Sequence, residues 1–302
     1  MRKKMSMFTL FLLLLWLSPS SAGTGHIDIT GIRSLANSGD SLFTRPVALD
    51  ISPEKKLYVV DAGGNRIIVL NRQGEVIRTV GGFGFEAEQF DDPRDIWARS
   101  VTDIFVADYN NRRLQRFDRQ MNYLSSLENN DARDAALQFD YVAGCAVNSQ
   151  NELFLLCRDQ DKIIKFNREG QPEYAFGMLE SGAEELNQPG QIDLWQGHAI
   201  VVSNSGDSSV VWFDFFGHLL GRATHPEMKH PYGLGVVNND YLLVADPLAG
   251  CLFAIDKAGQ CYPITTPEIE HPSDVAVWRE GKRIWVFILD GRRLLKGILT
   301  LP

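Results

Sequence analysis

Five polar side chains carry most of the chemistry that this chain concentrates in equivalent places: Arg94, Asp95, Gln191, Tyr232 and Asp274. Each stands one or two residues after a proline that opens a short strand-like run, where the matching places elsewhere hold small residues. A guanidinium can grip a carboxylate through two parallel hydrogen bonds, and tyrosine offers an aromatic face with a polar tip. With two carboxylates and a carboxamide beside them, the set suits recognition of a small polar ligand or a partner's side chain. Three histidines raise a different chemistry, because imidazole is the commonest zinc ligand and a catalytic zinc takes three protein donors. His230 and His271 precede Pro231 and Pro272, with His225 nearby, but they are offset by two residues from the five and turn toward the rim. No metal and no cofactor is expected.

Other catalytic constellations are missing from the sequence. There is no G-x-S-x-G elbow and no phosphate loop. Gly81-Gly82-Phe83-Gly84 leads into a loop without a strand-to-helix context, and Asp159-Gln160-Asp161 lacks the later ligands of a calcium loop. No acidic pair has a spacing that points to glycosidase work.

The elements that must position the five residues come from an internal repeat. An apolar residue precedes a proline by three places in Phe43-x-x-Pro46, Phe90-x-x-Pro93, Leu186-x-x-Pro189, Met228-x-x-Pro231 and Ile269-x-x-Pro272, with Phe139-x-x-Val142 as a variant. The proline positions are spaced by 47, 49, 47, 42 and 41 residues, in or near the range of β-propeller blades. Within one unit, 94–97, 103–108, 113–117 and 123–126 read as four short strands rich in β-branched and aromatic residues. Asn71-Arg72-Gln73-Gly74, Asn167-Arg168-Glu169-Gly170, Asp214-Phe215-Phe216-Gly217 and Asp256-Lys257-Ala258-Gly259 suit type I turns closed by a residue with positive φ. The expected fold is an all-β, six-bladed β-propeller with four-stranded antiparallel blades. The last unit ends at Pro302 without a fourth strand, so the alternating segment 26–32 is expected to supply it and close the ring, removing an open edge.

In such a ring the first residues of each inner strand form the mouth of a central channel. These pairs are Val47-Ala48, Arg94-Asp95, Ala143-Gly144, Gly190-Gln191, Tyr232-Gly233 and Ser273-Asp274.

The units resemble the NHL-repeat family of propellers. Val106-Ala107-Asp108-Tyr109-Asn110-Asn111-Arg112-Arg113-Leu114 matches its Val-Ala-Asp-x-x-Asn-x-Arg-Ile pattern; Val59-Val60-Asp61 with Arg66-Ile67 and Val244-Ala245-Asp246 match in part. Blade four substitutes Asn204 and Asp207, and blade six has Phe287 fifteen residues after its proline, where the acid is expected. An acid repeated from blade to blade is a structural device, accepting backbone N–H bonds from an adjoining turn; Arg66 and Arg113 are expected to pair with loops or carboxylates. The family includes a zinc-dependent lyase of hydroxyglycine-extended peptides with histidines directly after the inner-strand proline. Those places here hold Val47, Arg94, Ala143, Gly190, Tyr232 and Ser273, so the resemblance does not carry that activity over.

Residues 1–22 read as a secretory signal: Arg2, Lys3 and Lys4, then an apolar run over 8–17, then Ser20-Ser21-Ala22. The run is shorter than the about 20 residues that a membrane helix needs. The propeller would occupy 23–302, exported to the periplasm or the extracellular space. Losing those three basic residues takes the formal charge from −8 to −11, which argues against nucleic acid as a partner. Arg112, Arg113, Arg116 and Arg119 are expected on a solvated outer rim. Four cysteines in an oxidising compartment allow an accessory disulfide, and Cys145 with Cys157 are expected to face each other across a hairpin.

The leading expectation is a binding or scaffold module for a protein, peptide or glycan. Loops 82–93 and 177–189 carry Glu86, Glu88, Asp91, Asp92, Glu180, Glu184 and Glu185, an acidic rim favouring a basic partner. The competing expectation is a metal-assisted lyase or lactonase at the channel mouth.

Overall fold

The computed structural model describes residues 27–36, 42–129, 134–178 and 185–302. The expected signal, residues 1–22, and the acids Glu180 and Glu184 lie outside the described residues. Six four-stranded antiparallel sheets follow one another around a ring. β1 (Asp28–Ala36) comes first. Blade one holds β2 (Pro46–Ile51), β3 (Leu57–Asp61), β4 (Arg66–Leu70) and β5 (Val76–Gly81); blade two holds β6 (Pro93–Trp97), β7 (Asp103–Asp108), β8 (Arg113–Asp118) and β9 (Tyr123–Glu128). Blade three is β10 (Val142–Val147), β11 (Leu153–Cys157), β12 (Lys162–Phe166) and β13 (Pro172–Phe176). Blade four is β14 (Pro189–Trp195), β15 (Ala199–Asn204), β16 (Ser209–Asp214) and β17 (Leu219–Thr224). Blade five is β18 (Leu234–Val236), β19 (Tyr241–Asp246), β20 (Cys251–Asp256) and β21 (Cys261–Ile264). Blade six is β22 (Pro272–Glu280), β23 (Arg283–Asp290) and β24 (Arg293–Thr300), completed by β1, which pairs antiparallel with β24 from Asp28↔Thr300 to Ala36↔Leu294. The ring is thus closed by the N-terminal strand, which gives the last sheet the same four strands as the others.

The repeated apolar residue before each proline is a wedge between blades. Phe43, Phe90, Phe139, Leu186, Met228 and Ile269 are all buried. Each belongs to the apolar cluster joining its own blade to the preceding one, and six such clusters run round the ring. Face-to-face packing of neighbouring sheets therefore supplies the core. The tight turns form as their residues demand: Gly74, Gly170, Gly217 and Gly259 have φ between 77° and 91° and donate to the carbonyls of Asn71, Asn167, Asp214 and Asp256.

The repeated acid ties each blade to the strand entering it. Asp61 Oδ1 accepts from the backbone of Thr44 and Arg45, Asp108 Oδ1 from Asp91, and Asp246 Oδ2 from Lys229 and His230. Asn204 does the same for Asn187. In blade six the equivalent is Asp290 rather than Phe287, because Asp290 pairs with Pro272 as Asp61 does with Pro46. The β22–β23 hairpin is extended, so its acid arrives later. Asp290 accepts from Glu270 and His271.

Two further expectations are corrected. Arg113 is not on the outer rim but buried, donating to Asp108 and to the carbonyls of Phe85, Glu86 and Gln89. Cys145 and Cys157 are free thiols. The β10–β11 turn, pairing Val147 with Leu153, sets Cys145 opposite Leu155, and beyond a bulge between Val142 and Gly144 Cys157 pairs with Val142. Diagonal neighbours of this kind lie about 7–8 Å apart, beyond the about 4.4–6.8 Å of a disulfide.

Candidate functional site at the channel mouth

Inner strands of a propeller present unpaired backbone groups to the central channel, and buried N–H groups need acceptors. Side chains two places after the inner-strand prolines supply them from neighbouring blades. Asp274 Oδ2 accepts from Leu49 N of blade one at 2.7 Å, and Gln191 Oε1 accepts from Leu234 N of blade five at 2.5 Å. The Gln191 amide then bridges the channel, donating to Asp95 Oδ1 at 3.0 Å and to Asp274 Oδ2 at 3.2 Å. Three of the five predicted residues, from alternate blades, are thereby brought into one buried layer. Small residues opposite make room. A Cβ on Gly144 would lie 2.4 Å from Asp95 Oδ2, and one on Gly233 would lie 2.4 Å from Asp274 Oδ1.

Burial governs the charge of this layer. Asp95 is pushed up to about 7 by desolvation, with the Gln191 hydrogen bond opposing. Asp274 is held well above the carboxylate range by desolvation first and the Asp95 charge second.

A second polar layer lies two residues further along the inner strands. Asp50 and Asp193 are buried, and Arg99 joins them: Nε donates to Asp50 Oδ1 at 3.1 Å, and Nη1 to both oxygens of Asp193 at 2.6 Å. Asp50 Oδ2 also accepts from Ala98 N. Burial disfavours the Arg99 cation, but the charges of Asp193 and Asp50 outweigh it and raise its pKa. Between the layers only about 10 Å³ is left, bounded by Asp50, Asp95, Arg99, Cys145, Gln191 and Asp193 among others. The channel is filled by its own side chains.

Arg94 and Tyr232, the other two predicted residues, lie at the mouth above the acidic layer. Arg94 donates to Asp92 Oδ2 at 2.8 Å through Nε and stacks 4.7 Å from the Tyr109 ring centroid. Tyr109 OH donates to Asp159 and its ring lies 5.0 Å from that of Tyr141. Tyr232 stacks on His230 at 6.4 Å, with the Arg158 guanidinium 5.9 Å from its ring centroid. Burial raises the Tyr232 pKa, opposed by Arg158 and Arg94, and burial with Arg158 lowers that of His230. Arg158 differs from Arg94 in having no hydrogen-bond acceptor or ion-pair partner among the described residues. Three acids of the rim are engaged: Asp92 pairs with Arg45 and Arg94, Asp91 accepts from Asn110, and Glu88 accepts from Tyr123 N.

Sequence reasoning missed Asp50, Arg99, Asp193, Tyr109 and Arg158. The first and third stand four places after Pro46 and Pro189, and the period of two along a strand returns side chains to the face of the second place. Tyr109 and Arg158 each follow the repeated acid position, Asp108 and Cys157, and aligning that place across blades exposes both. The histidines do not converge. His225 packs near Phe253 and His230 on Tyr232, and no group of three His, Cys, Asp or Glu suited to a metal ion stands among the described residues.

Fold and site together define a six-bladed β-propeller with a plugged channel and a cationic, aromatic mouth. No family model matches the sequence. In solved structures the chain is similar to a gluconolactonase from Xanthomonas campestris (TM-score 0.67, 16% identity, 90% of this chain and 89% of that one). It is also similar to an inactive virginiamycin B lyase from Staphylococcus aureus with quinupristin (TM-score 0.64, 13% identity, 92% and 100%) and to a streptogramin B lyase (TM-score 0.61, 14% identity, 92% and 98%). At such identities the likeness is one of fold. In sequence, Drosophila melanogaster "Protein brain tumor" is 25% identical over 124 residues, 40% of this chain; the match spans only 12% of that protein.

Proposed function

We propose that the chain is an exported NHL-type propeller that works as a binding module, seating an acidic side chain or C-terminal carboxylate of a partner protein or peptide at the channel mouth. The observation behind it is the contrast between two levels of the site. Asp95 and Asp274 are consumed in the protein's own hydrogen bonds and are 5% and 0% exposed. Arg158, partly exposed above them, lies over Tyr232 without an acceptor. Arginine beside an aromatic face is the pairing enriched at interface hot spots, and its fork matches a carboxylate. This is preferred to the basic partner expected from the loop acids, three of which, Glu88, Asp91 and Asp92, already have partners. Export, to the periplasm or beyond, is part of the proposal; no helix among the described residues is long and apolar enough to cross a membrane.

A displayed-peptide library sorted on residues 23–302 tests it. Enriched peptides are expected to share an Asp, Glu or terminal-carboxylate anchor and to lose about tenfold or more in affinity to Arg158→Ala and to Tyr232→Ala. Enrichment of lysine or arginine anchors, or binding indifferent to both changes, overturns it.

The second reading, a metal-assisted lyase or lactonase, draws on the likeness of fold to the lyases and the gluconolactonase and on the Asp95 pKa of about 7. The donor set at the mouth does not fit a metal, since its acids are spent and His230 is stacked on Tyr232. Turnover of a small lactone that requires Asp95 would favour this alternative.

A further inference from the structure

The seam where β1 meets blades six and one encloses an open pocket of about 460 Å³ that is remote from the mouth in its lining. Its walls include the indoles of Trp278 and Trp285, and its charged groups are Arg33, Arg72, Lys296 and a single acid, Glu280. Three cations against one anion is an unusual local balance in a chain of net charge −8.

Lys296 is the decisive group. It is 9% exposed and lines the pocket, yet its ammonium makes no hydrogen bond or ion pair among the described residues. It rests over aromatic faces, 4.2 Å from the Trp285 ring centroid and 5.3 Å from that of Phe287. Burial lowers its pKa, and Arg33 and Arg72 lower it further. The largely buried side chain thus ends in an ammonium with three donors and no protein acceptor, and two more cations beside it, opposed by Glu280 alone, favour an anion in the pocket. Trp285 Nε1, in the same wall, is a buried donor without an acceptor.

We infer that this seam is a binding site for a small organic carboxylate with a flat apolar body. The carboxylate accepts from Lys296, with Arg33 and Arg72 at the entrance, and the apolar body lies against Trp278 and Trp285. The volume falls within the range of small-molecule sites. Because Arg33 belongs to the ring-closing strand and Arg72 to the β4–β5 turn of blade one, an occupant would stitch the closure from both sides.

Benzoate is the probe, titrated into residues 23–302 and followed by tryptophan fluorescence and melting temperature, with benzamide as its neutral analogue and inorganic phosphate as a competitor. Saturable quenching by benzoate with a raised melting temperature is expected, with benzamide at least about tenfold weaker and phosphate competing. Lys296→Met keeps the side-chain volume and should weaken benzoate by about tenfold or more. Should that variant fold poorly, Arg72→Gln, an exposed change, should still weaken binding about threefold or more. A flat benzoate titration, equal binding of benzamide, or Arg72→Gln and folded Lys296→Met both binding as wild type overturns the inference. None of these outcomes depends on the mouth, whose residues stay untouched.

Discussion

Replacing Asp95 with asparagine should make the protein more stable at alkaline pH. The carboxyl is 5% exposed, with a pKa of about 7 in the fold against an ordinary 3.8. Between those values the native state holds a proton that the unfolded chain has released. The stability tied to that proton is therefore fully present below about pH 4 and is lost as pH rises through about 7. A displacement of this size corresponds to about 4 kcal/mol. Asparagine keeps an oxygen for the Gln191 amide and never ionises. It also removes the charge that is the second cause of the raised Asp274 pKa, letting Asp274 ionise more readily and trimming the gain. The expected outcome is near equality with wild type at pH 4.5, and an advantage of about 2–4 kcal/mol at pH 8.5. Urea unfolding followed by tryptophan fluorescence across that range reads it directly. An Asp95→Asn variant less stable than wild type at pH 8.5, or one whose stability runs parallel to wild type at every pH, would refute the proton-holding account of the channel.

Arg99→Ala should cost about 2–3 kcal/mol at pH 8, below the usual range for breaking a buried pair because the Arg99 side chain is 35% exposed. The loss should shrink at pH 4 as Asp193, whose pKa burial raises against the pull of Arg99, takes up a proton; a pH-independent loss would contradict the pairing. Ile29→Ala should cost about 2–5 kcal/mol, since Ile29 is 4% exposed in the blade five–six core and reaches over Gly297. An unchanged urea midpoint would show that β1 does not close the ring.

The blades were legible because their signals are local and repeated. A proline opens the inner strand, an apolar residue three places earlier wedges between sheets, and Asn or Asp with Gly makes the turn, all within a few residues. The site was legible only in its first layer. Asp95, Gln191 and Asp274 share one phase of the repeat, but nothing local says that Gln191 spans the channel between the other two; that follows from ring closure. Hairpin length defeated the rest. A three-residue extension carried the acid of blade six to Asp290, and the β10–β11 turn, which pairs Val147 with Leu153, set Cys145 opposite Leu155 rather than Cys157. The seam pocket joins β1 to β24, segments far apart in sequence, and no short-range pattern announces it.

A propeller built from near-equivalent blades must still specify which blade sits beside which, and the channel provides asymmetric ties for that purpose. Apolar wedges are alike in kind and carry no directional bonds that name a neighbour. The polar ties are not: Asp274 reaches from blade six to blade one, Asp50 from one to two, Gln191 from four to five, and Arg99 from two to both one and four. Each tie leaves a buried donor or acceptor unmet if the blade order or register changes, at about 1–3 kcal/mol per group. Buried polar groups fixing register is the best-attested use of such interactions. It also accounts for the division of labour in this site. The inner layers are committed to holding the ring in register, so the proposed recognition falls to the residues just above them, where Arg158 and Tyr232 remain within reach of solvent.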